Sequence, residues 1–229
     1  MRYNADFNEA VIIKPDDYEW RQSPMIGVER MFLDRIGDEV ARATSIVRYA
    51  PNSEFPSHQH DGGEEILVLD GVFADEHGEY PSGYYLRNPI GTAHRPRVGA
   101  SGALLFVKLH QFAKDDTLQL AVNTNGAKWR FLADGLSNML LHSYESECVD
   151  LLRFSELTTL AQQAFVGGVE YFVMEGGITV NDEFCTKGSW IRLPHNFTHS
   201  LRSEEETATL LRKRGHLNTD VKAINSSWA

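Results

Sequence analysis

An antiparallel all-β fold, built twice in tandem, is what the sequence predicts, and three observations carry that prediction. Short runs that alternate with period two and are rich in β-branched and aromatic residues recur between clusters of Gly, Pro, Asn and Asp. No segment keeps a helical period over three turns; Ser155–Phe165 comes nearest and is ambiguous. The chain also matches itself at a shift of 105, which sets Gly71 on Gly176, Gly83 on Gly188, Pro89 on Pro194, His94 on His199 and Lys108 on Lys213.

Residues 1–19 form a leading arm around Val11-Ile12-Ile13, stopped by Pro15. From Trp20 the strand pattern begins, with runs at 43–50, 64–71, 83–89 and 103–112. The polar stretch 111–128 reads as a connection and sets the boundary near residue 120. The expected domains are therefore 1–120, with the arm 1–19, and 121–229. Trp20-Arg21 returns as Trp129-Arg130, and Val47-Arg48-Tyr49 as Leu152-Arg153-Phe154.

Bulk properties narrow the classes. With 229 residues, 42% hydrophobic and 24% charged, the chain is long enough for two cores. A net charge of −10 and the absence of a Lys/Arg cluster argue against nucleic acid; the run Leu210–Gly215 is the one basic patch and reads as a strand end. No apolar stretch approaches a membrane span, and the first residues lack a signal-peptide core, so a cytoplasmic location is expected. Cys148 and Cys185 lie far apart and read as buried free thiols.

Chemistry concentrates between Pro56 and His94. His58 and His60 stand two apart, so an extended strand turns both to one face. Gly62-Gly63 permits a tight reversal that returns Glu64 to that face, and Asp70-Gly71 ends the strand that Glu64 opens. His94 follows a turn at Pro89-Ile90-Gly91. Three imidazoles and a carboxylate suit a divalent first-row metal and leave positions for water or substrate. In the second copy His58, His60 and Glu64 become Gln163, Phe165 and Val169, so only His199 survives and that half is expected to be metal-free. His195, His199 and His216 are read as structural.

The motifs H-x-H-x3-E-x6-G and G-x5-P-x-G-x2-H resemble the cupin signature at every ligand position, and residues 62–94 are similar to the cupin domain of the ChrR group. The resemblance is strong over about residues 20–112 and weaker beyond. It implies a bicupin of two double-stranded β-helix jelly rolls, the second degenerate, with one zinc, iron, nickel or manganese ion on His58, His60, Glu64 and His94. It also implies either a mononuclear dioxygenase acting on a small carbonyl or diketone-like compound, or a small-molecule or oxidant sensor. The group's anti-sigma factor carries a zinc-bearing domain that binds its sigma factor. Residues 1–20 contain no cysteine, so direct sigma binding is not expected. The implied partner is a small molecule, with no nucleic acid and no membrane, on a monomer or homodimer.

The catalytic residues stay unassigned. By parity with Glu64, Ile66 and Val68 should face the metal, and Pro96 follows His94. Phe106, Lys108 and His110 share a parity that either lines the site or looks outward to solvent. Glu65 reads as an ion-pair partner, Tyr84 and Tyr85 as filling, and Arg87 and Arg95 either as surface groups or as holders of a carboxylate substrate.

Overall fold

The period-two runs form antiparallel strands, and the only helical element among the described residues is a 3-10 turn at Pro15–Asp17. The computed structural model describes residues 1–38, 40–204 and 206–217; the stretch 218–229, assigned above to the second domain, lies outside them. Ser155–Phe165, ambiguous in sequence, contains the strand Thr159–Gln163. No described helix is long and apolar enough to cross a membrane.

Two units divide the chain. The first takes Met1–Ala5 and Glu19–Ala127 and is organised by a nine-stranded sheet. Its path runs through Arg2–Tyr3, Val28–Gly37, Ala41–Tyr49, Arg97–Leu109, Glu64–Ala74, Tyr84–Asn88 and Leu120–Asn123, while His58–Gln59 and Ala93–His94 make a separate two-stranded ladder. Ile66, Val68, Val47, Leu105 and Val107 meet in one apolar cluster, so the parity expected from Glu64 holds.

Around Lys108 the opposite face of that sheet is shielded from solvent. Lys108 is 1% exposed and donates to Thr44 Oγ1 at 2.8 Å. It stands in register with Glu65, which stands in register with Arg87, giving a Lys–Glu–Arg row across three strands. Arg87 lies 3.6 Å from Glu65 and also pairs with Asp116. Buried charges persist only when paired, so these residues are structural. Both readings of Phe106 and Lys108, as cavity wall or as solvated face, are thereby corrected, and so is Arg87 as a substrate holder.

One irregularity matters later. A bulge in Val28–Gly37, between Phe32 and Asp34, inserts an extra residue and reverses the side-chain alternation beyond it. Arg30 pairs with Val47 before the bulge and Arg35 with Ala43 after it, so two residues five apart face the barrel interior. Asp34 turns to the other face, where its carboxylate accepts the Thr44 N–H at 2.9 Å.

The second unit takes Asp6–Tyr18 and the chain from Lys128 onward. A seven-stranded sheet and a four-stranded sheet enclose a core that includes Leu152, Phe154, Tyr171, Val173, Ile191 and Leu210. The Lys–Glu–Arg row recurs as Lys213–Glu170–Arg192. The arm corrects the expected domain limits. Val11–Ile13 is an edge strand on Trp190–Leu193, Ile12 packs against the core, Lys14 pairs with Glu183, and Arg192 sits 4.5 Å over the Phe7 ring. At the other limit Leu120–Asn123 pairs with Tyr84–Asn88, which holds the first unit together as far as residue 127.

Candidate metal centre

The two short strands put His58 directly opposite His94. Thr92 N–H bonds to Pro89 C=O at 3.1 Å across the turn that leads into His94, with Gly91 at φ +89°. His60 is locked to the same turn, its N–H to Thr92 C=O at 2.8 Å and its C=O to Gly91 N–H at 2.9 Å. Of the two glycines before Glu64, only Gly63 has positive φ, at +77°. Gly62 is required by close approach, since a Cβ there would fall 2.0 Å from His110 Nδ1.

These turns bring one ligand atom from each of His58, His60, Glu64 and His94 to within 4.8 Å of one another. His60 and His94 are buried, and His58 is exposed at the open side. Each imidazole has its Nδ1 beside a fixed acceptor: His58 beside Pro56 C=O at 3.3 Å, His60 beside Thr92 Oγ1 at 3.0 Å, and His94 beside Asp75 Oδ2 at 3.3 Å. Thr92 spends its own proton on Pro89 C=O at 2.7 Å, so it accepts from His60. The proton on each ring therefore belongs on Nδ1, which leaves every Nε2 lone pair free. Asp75 is itself fixed, taking the N–H groups of His77 and Gly78 and the Tyr80 hydroxyl on Oδ1.

The fit to a metal ion is tested by the buried nitrogens. His60 Nε2 and His94 Nε2 lie 3.1 and 3.5 Å from Glu64 Oε2, yet neither makes a hydrogen bond. Buried polar atoms without partners are costly, and lone pairs converging on a carboxylate are what a divalent cation satisfies. Burial pushes the Glu64 carboxyl up, but His60, His94 and His58 outweigh it and hold it below its ordinary range. Burial pushes the His94 imidazole down, so it stays neutral, as a ligand must. The donor set fits.

Beside it opens a cavity of about 370 Å³. Its walls are apolar at Val47, Phe55, Val107 and Leu109, and Pro96 lines it as expected. His110 also lines it, because a left-handed φ of +56° ends its strand and turns it from the face of Lys108. Among the lining residues that escaped sequence reasoning are Arg30, Arg35 and Tyr49. Burial pushes the Tyr49 phenol up, with Glu64 adding and Arg30 opposing. Arg95 lies away from the cavity, exposed and 3.5 Å from Glu54.

The corresponding end of the second barrel is filled differently. His199 is buried, Tyr171 reaches its Nε2 at 2.7 Å, and its Nδ1 lies 3.1 Å from Phe197 C=O. Tyr171 stands where the first unit has Ile66, and the Phe165 ring lies 6.0 Å from His199. Among the described residues no metal-ligand cluster forms around His199, and the equivalent of Glu64 is the buried Val169. His216 bonds Glu170 at 2.9 Å and His195 Nδ1 accepts Gly167 N–H at 3.0 Å, both structural roles. Both cysteines are free and buried.

Two barrels of this kind, one carrying a three-histidine, one-carboxylate cluster, define a bicupin. The chain matches the ChrR cupin-like domain family twice, over residues 8–113 and 117–218, and it belongs to that family. Among solved structures it is similar to a dioxygenase candidate from Nostoc punctiforme, with a TM-score of 0.78 at 16% identity over 93% of this chain and 85% of that one. A candidate glyoxylate-induced protein from Pseudomonas aeruginosa gives 0.73 at 15%, over 90% and 87%. Bacillus subtilis oxalate decarboxylase, studied for its Mn(II) centres, gives 0.64 at 12%, over 91% and 78%. At these identities the likeness shows the fold alone. Among curated proteins no sequence match is found.

Proposed function

We propose that His58, His60, Glu64 and His94 hold one divalent metal ion, zinc, iron, nickel or manganese, and that with iron(II) in place the N-terminal unit is a mononuclear dioxygenase. Its substrate is a small carbonyl or diketone-like compound. The observation that carries this reading is the cavity, which opens onto the exposed edge of the ligand cluster and gives a small molecule access to it. When bound, the ion supplies open positions for a chelating substrate and for dioxygen. Both oxygen atoms end in the two carbonyl products of carbon–carbon cleavage, so no external reductant is needed.

The chain's own groups do the rest. Nδ1 contacts aim the three imidazoles, and Glu64 offsets part of the cation's charge. Val47, Phe55, Val107 and Leu109 exclude bulk water, which strengthens electrostatic contacts inside. The Tyr49 phenol, pushed up, keeps its proton at neutral pH and is a donor on the cavity wall. Oxygen uptake by iron-loaded protein with a panel of diketones and oxo acids tests the proposal. Substrate-dependent uptake is expected. Tight ligand binding without uptake from any metal form would replace the enzyme with a sensor.

A further inference from the structure

Two arginines face the cavity of a chain that carries 22 Lys and Arg against 32 Asp and Glu. The Arg30 side chain makes no hydrogen bond and no ion pair among the described residues. Arg35 is buried; its guanidinium donates to the Asp38 backbone carbonyl and lies 5.2 Å over the Phe32 ring. Among the described residues, the acids that line the cavity are Glu64, committed to the imidazoles, and Asp61 at the exposed rim. Burial lowers the Arg35 pKa and the nearby Arg30 lowers it further, with Asp38 opposing, so the two cations repel each other across the cavity wall. Such a pair is costly to hold together unless an anion joins it.

The second unit supplies the contrast. Arg30 pairs with Val47, and the matching pair is Asn138 with Leu152; Arg35 pairs with Ala43, and the matching pair is Ser143 with Cys148. Neither arginine has a basic counterpart. The barrel that retains the ligand cluster is the one that keeps both. A regular strand would have turned Arg35 away from Arg30, and the bulge after Phe32 brings them to one side.

We propose that the cavity binds a small chelating molecule that carries a carboxylate, with the carboxylate on Arg30 and Arg35 and its carbonyl oxygen toward the four ligand residues. The guanidinium fork matches a carboxylate with two parallel hydrogen bonds. At about 370 Å³ the cavity is near the lower end of ligand pockets, so the molecule is a short oxo or hydroxy acid rather than a nucleotide. Tyr49 lines the same cavity as Arg30, Arg35 and Glu64, so one wall joins the anion subsite to the ligand cluster. This deepens the function proposed above and rests on its reading of the four residues as a metal centre.

The test is calorimetric binding to zinc-loaded protein, in which the ion is redox-inert and no turnover occurs. The probes are acetoacetate and acetylacetone, which differ by a carboxylate in place of an acetyl group. Wild type should bind acetoacetate about tenfold or more tightly than acetylacetone. Arg30→Gln should erase that preference and leave acetylacetone binding unchanged, which also shows that the variant is folded. Arg30→Lys, which keeps the charge without the fork, should retain part of it. Absence of acetoacetate binding, similar affinities in wild type, or a preference that survives Arg30→Gln would each overturn the inference. A protein that shows the preference but consumes no oxygen loses the dioxygenase and keeps the carboxylate site.

Discussion

At the mouth of the first barrel, three imidazoles and Glu64 crowd together beside a cavity with two arginines on its wall. At the corresponding end of the second, Tyr171 caps the single histidine, and Arg212 grips Asp150 with two hydrogen bonds of 2.8 and 2.7 Å. Asp150 and Arg212 stand where the first unit has Ser45 and Val107, both of which line its cavity. At this end the second barrel meets His199 and Arg212 with its own groups, whereas the first directs the Nε2 atoms of His60 and His94 at one carboxylate; single buried polar atoms without a hydrogen bond occur in both. What only the first copy has is convergence, one ligand atom from each of three imidazoles and a carboxylate within 4.8 Å, and that cluster is where the proposed binding centres.

The largest effect expected from breaking this contrast is on stability. Asp150→Ala leaves Arg212 buried without its carboxylate and should cost about 3–5 kcal/mol in urea denaturation. Ser45→Ala, the equivalent change in the first barrel, should stay within about 0.5 kcal/mol. Similar costs at both positions would show that the second barrel does not depend on the pair.

A smaller effect is expected at Asp75, which aims His94 and whose equivalent in the second unit is the apolar Val180. Asp75→Asn can still hold the turn through its carbonyl oxygen but removes the charge that fixes the His94 tautomer. Metal affinity, read by competition with a chelator, should fall roughly 10–100-fold. Unchanged affinity would remove Asp75 from the centre.

The smallest effect separates the histidines by pH. Burial, with a contribution from Arg212, holds His199 below its ordinary value despite the Phe197 carbonyl. The folded chain keeps this ring neutral where the unfolded chain takes up a proton, so stability should fall as pH drops through about 6.5 and level off below the folded pKa. One such group contributes at most about 1.4 kcal/mol per pH unit. His199→Gln should flatten that part of the stability profile; an unchanged slope would assign it to other groups.

Much of this was legible in advance because it is local. The four ligand positions follow from spacing, two strand periods and two turns, and the duplication from gapless matches of Gly, Pro and His. What escaped depends on partners distant in sequence. Arg30 and Arg35 share a face only because a bulge follows Phe32, and nothing in the alternation of that strand announces it. Lys108 looked free to line a site or to meet solvent, but Thr44, Glu65 and Arg87 arrive from other strands to enclose it. The arm was assigned by proximity in sequence to the first domain, while its strand completes the sheet of the second. Asp75 carried no signal in the sequence, because it meets His94, 19 residues on, only when the chain folds.

Metal content tests the central claim most directly. Protein purified without chelators or a nickel column, analysed for every first-row metal, should carry about one ion per chain. His60→Ala should lose it and His199→Ala should keep it. About two ions per chain, or equal loss in both variants, would contradict the division between a metal centre in the first barrel and a metal-free second one.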